Sequence, residues 1–288
     1  MRRTKIMAVL QNKIDFEVLF TVKNANPNGD PLDGNRPRTT YDGYGEISDV
    51  CIKRKIRNRL QDMGENIFVQ SAERCDDGLK SLSERASKTI KKGITSEEYA
   101  KIACETWTDV RAFGQVFAFK KSKETDEVSV GVRGPVSVQM ATSCSQVDIN
   151  SMQITKSVNS EPSEKKSSDT MGSKHFVEFG LYKLKGSINI QLAEKTGFSE
   201  EDAEKIKECL RTLFINDASA ARPDGSMEVK RVYWWKHNNK IGQYSAAKVH
   251  NTIIVKLKEG VTVPKSFEDY EITEEKLEGL NSEIIEGI

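Results

Sequence analysis

The sequence predicts an α+β fold in which helices pack on one face of an antiparallel sheet. Three observations carry that expectation. Some segments alternate apolar and polar residues with period two, others repeat apolar residues at helical spacing, and the two kinds interleave along 288 residues, a length that suits one large domain with insertions.

The elements follow in chain order. Phe16, Val18, Phe20 and Val22 alternate with Glu17, Leu19 and Thr21, the pattern of a strand with one buried and one wet face. Ser48 or Asp49 is the expected cap of a helix with the stripe Ile52, Ile56, Leu60 and Met63. Tyr99, Ile102, Val110, Phe113 and Phe117 share helical spacing and predict a further helix over 96–119. Val128, Val130 and Val132, then Val136, Val138 and Met140 beyond Gly134-Pro135, keep strand parity, as do residues 182–192. Ser199-Glu200-Glu201-Asp202 opens a helix carrying Ala203, Ile206, Leu210, Leu213 and Phe214. Ile253, Val255 and Leu257 form the expected last strand, and residues 229–235 a less regular extra one.

Without the polar stretches the order is strand, helix, strand, strand, helix, strand. That is the split βαβ order of a ferredoxin-like fold, which RNA-recognition modules share. Two stretches fall outside it and read as insertions into a single 1–288 domain. Residues 62–98 are charged, with few apolar anchors. Residues 145–175 hold six serines between Ser157 and Ser173, a composition that suits a projecting segment.

Lys and Arg total 44 and Asp and Glu 43, for a net charge of +1. Bulk charge therefore cannot attract nucleic acid, and any such binding must use local patches. Residues 1–59 carry 12 basic against 7 acidic side chains, and residues 258–288 carry 3 against 9, so opposite ends of two copies would attract. The chain has no apolar run of the ~20 residues a membrane span needs, and no apolar stretch of a signal peptide follows the basic start, so a cytoplasmic protein is expected. Five cysteines without a CxxC pair, and three scattered histidines, indicate neither a disulfide framework nor a zinc site, and no cofactor motif is present.

Two segments suit phosphate binding. The first, Asn24 to Arg38, follows the first strand. Its Gly and Asn residues offer backbone N–H groups, while Arg36 and Arg38 flank a proline and offer planar donor forks. The start of this segment imitates an EF-hand loop, but Asn35 stands where the bidentate Glu belongs. Asp30 and Asp33 could hold a divalent metal, with no third ligand in view. The second is Lys53-Arg-Lys-Ile-Arg-Asn-Arg59, five basic residues of seven, on the flanks of a helix whose stripe faces the core. A further segment, Gly131-Val-Arg133-Gly134-Pro135, has glycines flanking an arginine in a strand, which permit close approach by another backbone or equally mark a simple β-bulge. Trp234-Trp235 beside Lys236 could stack bases but better suits a core strand end.

Several phrases closely resemble the backbone subunit of CRISPR Cascade complexes of the type I-C system. They are Asn26-Pro-Asn-Gly-Asp-Pro31, Asn35-Arg-Pro-Arg38, Ser48 to Asn58, Thr108-Asp-Val-Arg-Ala-Phe-Gly114, Val132-Arg-Gly-Pro-Val136, Thr170-Met-Gly-Ser-Lys-His175 and Phe179-Gly-Leu-Tyr182. The resemblance spans nearly the whole chain. It implies an RRM-like palm with a finger insertion at about 62–98 and a β-hairpin thumb at about 145–178. It also implies copies stacked head to tail along a guide crRNA, whose bases stay free to pair with target DNA. The implied partners are other copies of the chain, a crRNA-processing subunit and a large subunit, and the implied subunit is not an enzyme. By position, Asn28, Arg36, Arg38, Lys53, Arg54, Arg57 and Arg133 would hold the guide. Lys156, Lys174 and His175 would do so on the thumb, with Met152, Ile154 and Met171 as candidates for an apolar wedge. Ser173 stands where this family would have a basic residue. The rival reading is a metal-dependent ribonuclease like the backbone subunits of type III effectors, with Asp30 or Asp33 as the acting carboxylate.

Overall fold

A computed structural model describes residues 8–119, 128–155 and 171–288. The chain opens with β1 (Ile14–Ala25), β2 (Gly29–Asp30), β3 (Arg36–Pro37), β4 (Tyr44–Ile47) and α1 (Asp49–Asp62). It continues through α2 (Leu82–Thr89), α3 (Ser96–Thr106), α4 (Thr108–Phe113), β5 (Gly114–Phe119) and β6 (Val128–Arg133). Then come β7 (Val136–Val138), β8 (Ala141–Gln146), β9 (Ile149–Thr155), β10 (Met171–Ile188), α5 (Ile190–Thr196) and α6 (Glu200–Arg211). The last elements are β11 (Met227–Lys236), α7 (Ala246–His250), β12 (Ile253–Leu257), β13 (Tyr270–Glu274) and β14 (Glu283–Glu286).

A large antiparallel sheet in the order β14-β11-β1-β10-β8-β4 forms the body, with β7 and β9 also paired to β10. β1 lies at its centre because it pairs β10 on one edge and β11 on the other. Its inward residues Phe16, Val18, Phe20 and Val22 pack with Ile52, Ile56 and Leu60 of α1 and with Ala203, Ile206 and Leu210 of α6. Ser48 caps α1 through Cys51 N–H, and Ser199 caps α6 in a reciprocal box with Asp202, as the sequence pattern requires.

Four expectations are corrected. The strand beside β1 that completes the sheet is β11; residues 253–257 instead pair with β13 in a separate hairpin. That hairpin lies over the outer face of the sheet, where Leu19, Leu181, Tyr233 and Trp235 meet Val249, Ile253, Tyr270 and Leu280. β1 is therefore buried on both faces, and Asp15 and Glu17 are fully buried. The helix expected over 96–119 breaks at Trp107 and ends at Gly114, so Phe117 lies in β5, paired with Val130 of β6. The strand expected to reach residue 192 stops at Ile188, because Asn189 caps α5 by accepting from Leu192 N–H at 3.0 Å.

Residues 62–98 are better anchored than their charge suggests. Phe68, Ala86 and Ile90 join Tyr99, Trp107, Val110, Phe117 and Val130 in a second apolar core. β6 therefore belongs to this unit, while β7, three residues later, belongs to the main sheet. The two backbones pass very close at this point: a Cβ on Gly134 would lie 2.4 Å from Gly114 N. Gly134 and Gly114 thus serve backbone packing; a Cβ on Gly131 would meet nothing within 4 Å, so the close approach expected of this segment holds at Gly134 and not at Gly131.

Candidate nucleic-acid interface

The segment after β1 folds back on itself as the β2–β3 ribbon, with Asn35 and Gly34 in the left-handed region at its turn. The side chain of Asn28 is turned inward: its Oδ1 accepts from both Ser48 N–H and Ser48 Oγ at 2.9 Å. It therefore fixes the loop to the start of α1. Asp30 accepts from Leu32 N–H at 3.0 Å and pairs with Arg38 at 3.3 Å, while Asp33 lies 3.8 Å from Arg36. Both arginine side chains stay more than a third exposed.

β9 and the first half of β10 form a hairpin beyond the sheet edge, with Ser151 opposite His175 and Met152 opposite Lys174. The β2–β3 ribbon meets this hairpin near its base. Arg36 Nη1 donates to Ser151 Oγ at 2.9 Å, and His175 Nδ1 lies 2.8 Å from the same hydroxyl. Ser151 thus joins the loop and the hairpin. Sequence reasoning missed it, since an isolated serine in a serine-rich stretch carries no signal. Lys23 is also exposed where β1 ends, beside a cleft of about 310 Å³ that reaches Glu178 and Lys265.

The three apolar wedge candidates are exposed but divided. Met152 and Ile154 lie on one face of the hairpin, while Met171, opposite Thr155, lies on the other. Lys174 has no ion-pair partner among the described residues. Arg133 is exposed at the end of β6, and Lys156 lies outside the described residues.

The basic helix is different. Lys53 pairs with Asp49 at 2.9 Å, and Arg54 Nη1 donates to the Val69 carbonyl at 2.6 Å. Arg57 Nε donates to Asp109 Oδ2 at 2.8 Å, with its guanidinium over the Phe113 ring. Asp109 is fully buried and also accepts from the N–H groups of Phe68 and Val69. Lys55 pairs with Asp217. Burial and the neighbouring Arg57 push the Arg54 pKa down from its usual value. Arg54 and Arg57 thus tie α1 to the second core, with these donors engaged inside the protein. Trp234 and Trp235 are likewise buried in the sheet.

The fold and this junction together define an open, cation-bearing surface on a sheet scaffold; among the described residues no three metal-ligating side chains cluster. A profile for "CRISPR-associated protein Cas7" matches residues 12–275, and the chain belongs to that family. The CRISPR-associated protein Cas7 of Haloferax volcanii is 27% identical over 223 residues, covering 70% of this chain and 64% of the relative. The chain thus spans just under two thirds of that relative's length. A chain of a solved "CRISPR RNA-guided surveillance complex, pre-nicking" superposes with a TM-score of 0.50 at 17% identity, covering 87% of this chain and 84% of that one. A chain of another "CRISPR RNA-guided surveillance complex" gives 0.47 at 19% identity, with coverage of 87% and 78%. The first of these likenesses is one of fold, and no helix among the described residues is long and apolar enough to cross a membrane.

Proposed function

We propose that this chain is the non-catalytic backbone subunit of a type I-C Cascade surveillance complex, binding guide crRNA along a head-to-tail row of copies. Membership of the Cas7 family across residues 12–275 carries this reading. In it the palm is RRM-like, with β1 flanked by β10 and β11. Residues 62–98 belong to the fingers, and residues 145–178 form the thumb. Arg36 and Arg38 hold phosphate oxygens beside His175, while Lys174 lies with Met152 and Ile154 on the other hairpin face, which is suited to wedge between nucleotides. Contact is with the backbone, so binding is indifferent to sequence and the bases remain available to target DNA. Repetition of the patch along the strand converts modest affinity per copy into avidity. The crRNA-processing and large subunits complete the assembly.

The test is the mass of the particle formed when the chain is mixed with a mature guide and its sister subunits. Several copies per guide are expected. A single copy that leaves the RNA free would refute the proposal.

A further inference from the structure

Beyond Arg38 the chain forms a second small hairpin. Glu46 N–H donates to the Arg38 carbonyl and Thr40 N–H to the Tyr44 carbonyl, both at 2.8 Å, with Thr39 facing Gly45 between them. This register sorts the side chains by face. Arg38, Thr40, Tyr44 and Glu46 share one side, and Thr39 and Gly45 share the other. The Gly45 side packs on the sheet, where an added Cβ would fall 2.1 Å from the Tyr182 hydroxyl. The Arg38 side therefore faces away from the core.

At the tip Tyr41 is fully exposed (105%), and Tyr44 behind it is 37% exposed. The tip is nevertheless tied on both sides. Gly43 N–H donates to the Thr40 carbonyl at 3.1 Å, and Tyr44 N–H to Thr40 Oγ1 at 3.0 Å. From β8, Gln146 Nε2 donates to the Asp42 carbonyl at 2.8 Å; just beyond it, Val147 N–H donates to the Gly43 carbonyl at 3.0 Å. A large ring is thus held in water by a fixed turn, with no neighbour in the fold to bury it.

We propose that Tyr41, backed by Tyr44, is a stacking platform for a base of the strand whose phosphates meet Arg36 and Arg38. This deepens the RNA-binding reading above and rests on it. Single-strand sites combine cations for the backbone with aromatic rings for the bases, and this hairpin carries both: Arg38 and Tyr44 on one face and Tyr41 at its tip. The tip does not suit a phosphate, because Asp42 stands beside Tyr41 and Glu46 shares the face of Tyr44. A neutral base fits where an anion would be repelled. Stacking tolerates any base, as sequence-independent binding requires.

The test assembles the full chain on guide RNA carrying 2-aminopurine at successive positions. Fluorescence at one set of positions should be quenched, with the quench kept in Tyr41→Phe and lost in both Tyr41→Ala and Tyr41→Leu. Affinity should fall about tenfold in Tyr41→Ala, with an unchanged salt slope. An Arg36→Ala/Arg38→Ala variant is measured in parallel. If it binds RNA normally, the RNA-binding reading itself fails. If it binds weakly while the Tyr41 variants keep affinity and quench, only the stacking proposal is overturned. Loss of self-association without RNA in Tyr41→Ala, with the quench intact, would also overturn it and assign the ring to a neighbouring copy.

Discussion

The arginines of the β2–β3 ribbon and those of α1 have similar sequence signatures but opposite structural roles. Arg36 and Arg38 have weak, partly exposed acidic neighbours and lie beside a projecting hairpin. Arg57 meets a buried carboxylate, and Arg54 a backbone carbonyl. Ion pairs of the first kind are worth little and exchange readily for a phosphate. A pair of the second kind cannot open without leaving a charge buried and unmatched. The density of basic residues therefore does not locate an interface; the availability of their donors does.

The contrast is broken most severely at Asp109. Asp109→Ala removes the acceptor for two backbone N–H groups and for Arg57, so a loss of about 3–5 kcal/mol in denaturant unfolding is expected. A loss below about 1 kcal/mol would show that the joint between the cores does not depend on it. Arg57→Ala should cost about 2 kcal/mol, since the two backbone donors to Asp109 remain. Its RNA-binding salt slope, measured on the folded fraction, should match that of the unmodified chain. A slope lower by one contact would restore Arg57 to the guide groove.

A third expectation concerns the outer face of the sheet. Lys183 lies 3.1 Å from Glu17 Oε1 and also donates to the Ile253 carbonyl at 2.6 Å, so one shared ammonium faces this fully buried carboxylate. Burial, opposed by Lys183, pushes the Glu17 pKa up from 4.5 to about 7. Below pH 4.5 the group is neutral both folded and unfolded, and burying it carries no charge penalty. As pH rises through about 7 the folded form must hold the charge, and stability falls. Glu17→Gln should thus stabilise the chain by about 1–3 kcal/mol near pH 8 and by almost nothing near pH 4.5. Melting curves at the two pH values check this, and an equal gain at both would contradict the assignment.

Much of the main sheet and its helices was legible in the sequence. The stripe Ile52, Ile56 and Leu60 and the box Ser199–Asp202 act locally, so their pattern survives folding intact. The second covered face of β1 was not legible. Alternation reports that a strand has two faces, not whether a later segment covers the polar one, and Glu17 read as wet though it is buried. The roles of the basic helix were hidden by distance: Arg57 pairs with a carboxylate 52 residues away and Lys55 with one 162 residues away. The loop–hairpin junction was half legible, since Arg36 and His175 were singled out but Ser151, which joins them, was not.

The most direct measurement is guide RNA affinity as a function of salt for the unmodified chain and for Arg36→Ala/Arg38→Ala. If both guanidiniums displace counterions from a single-stranded backbone, the logarithmic slope should shrink by about 1.4, roughly 0.7 for each contact, while the unfolding midpoint stays put. Identical slopes would contradict the claim that this junction holds the strand.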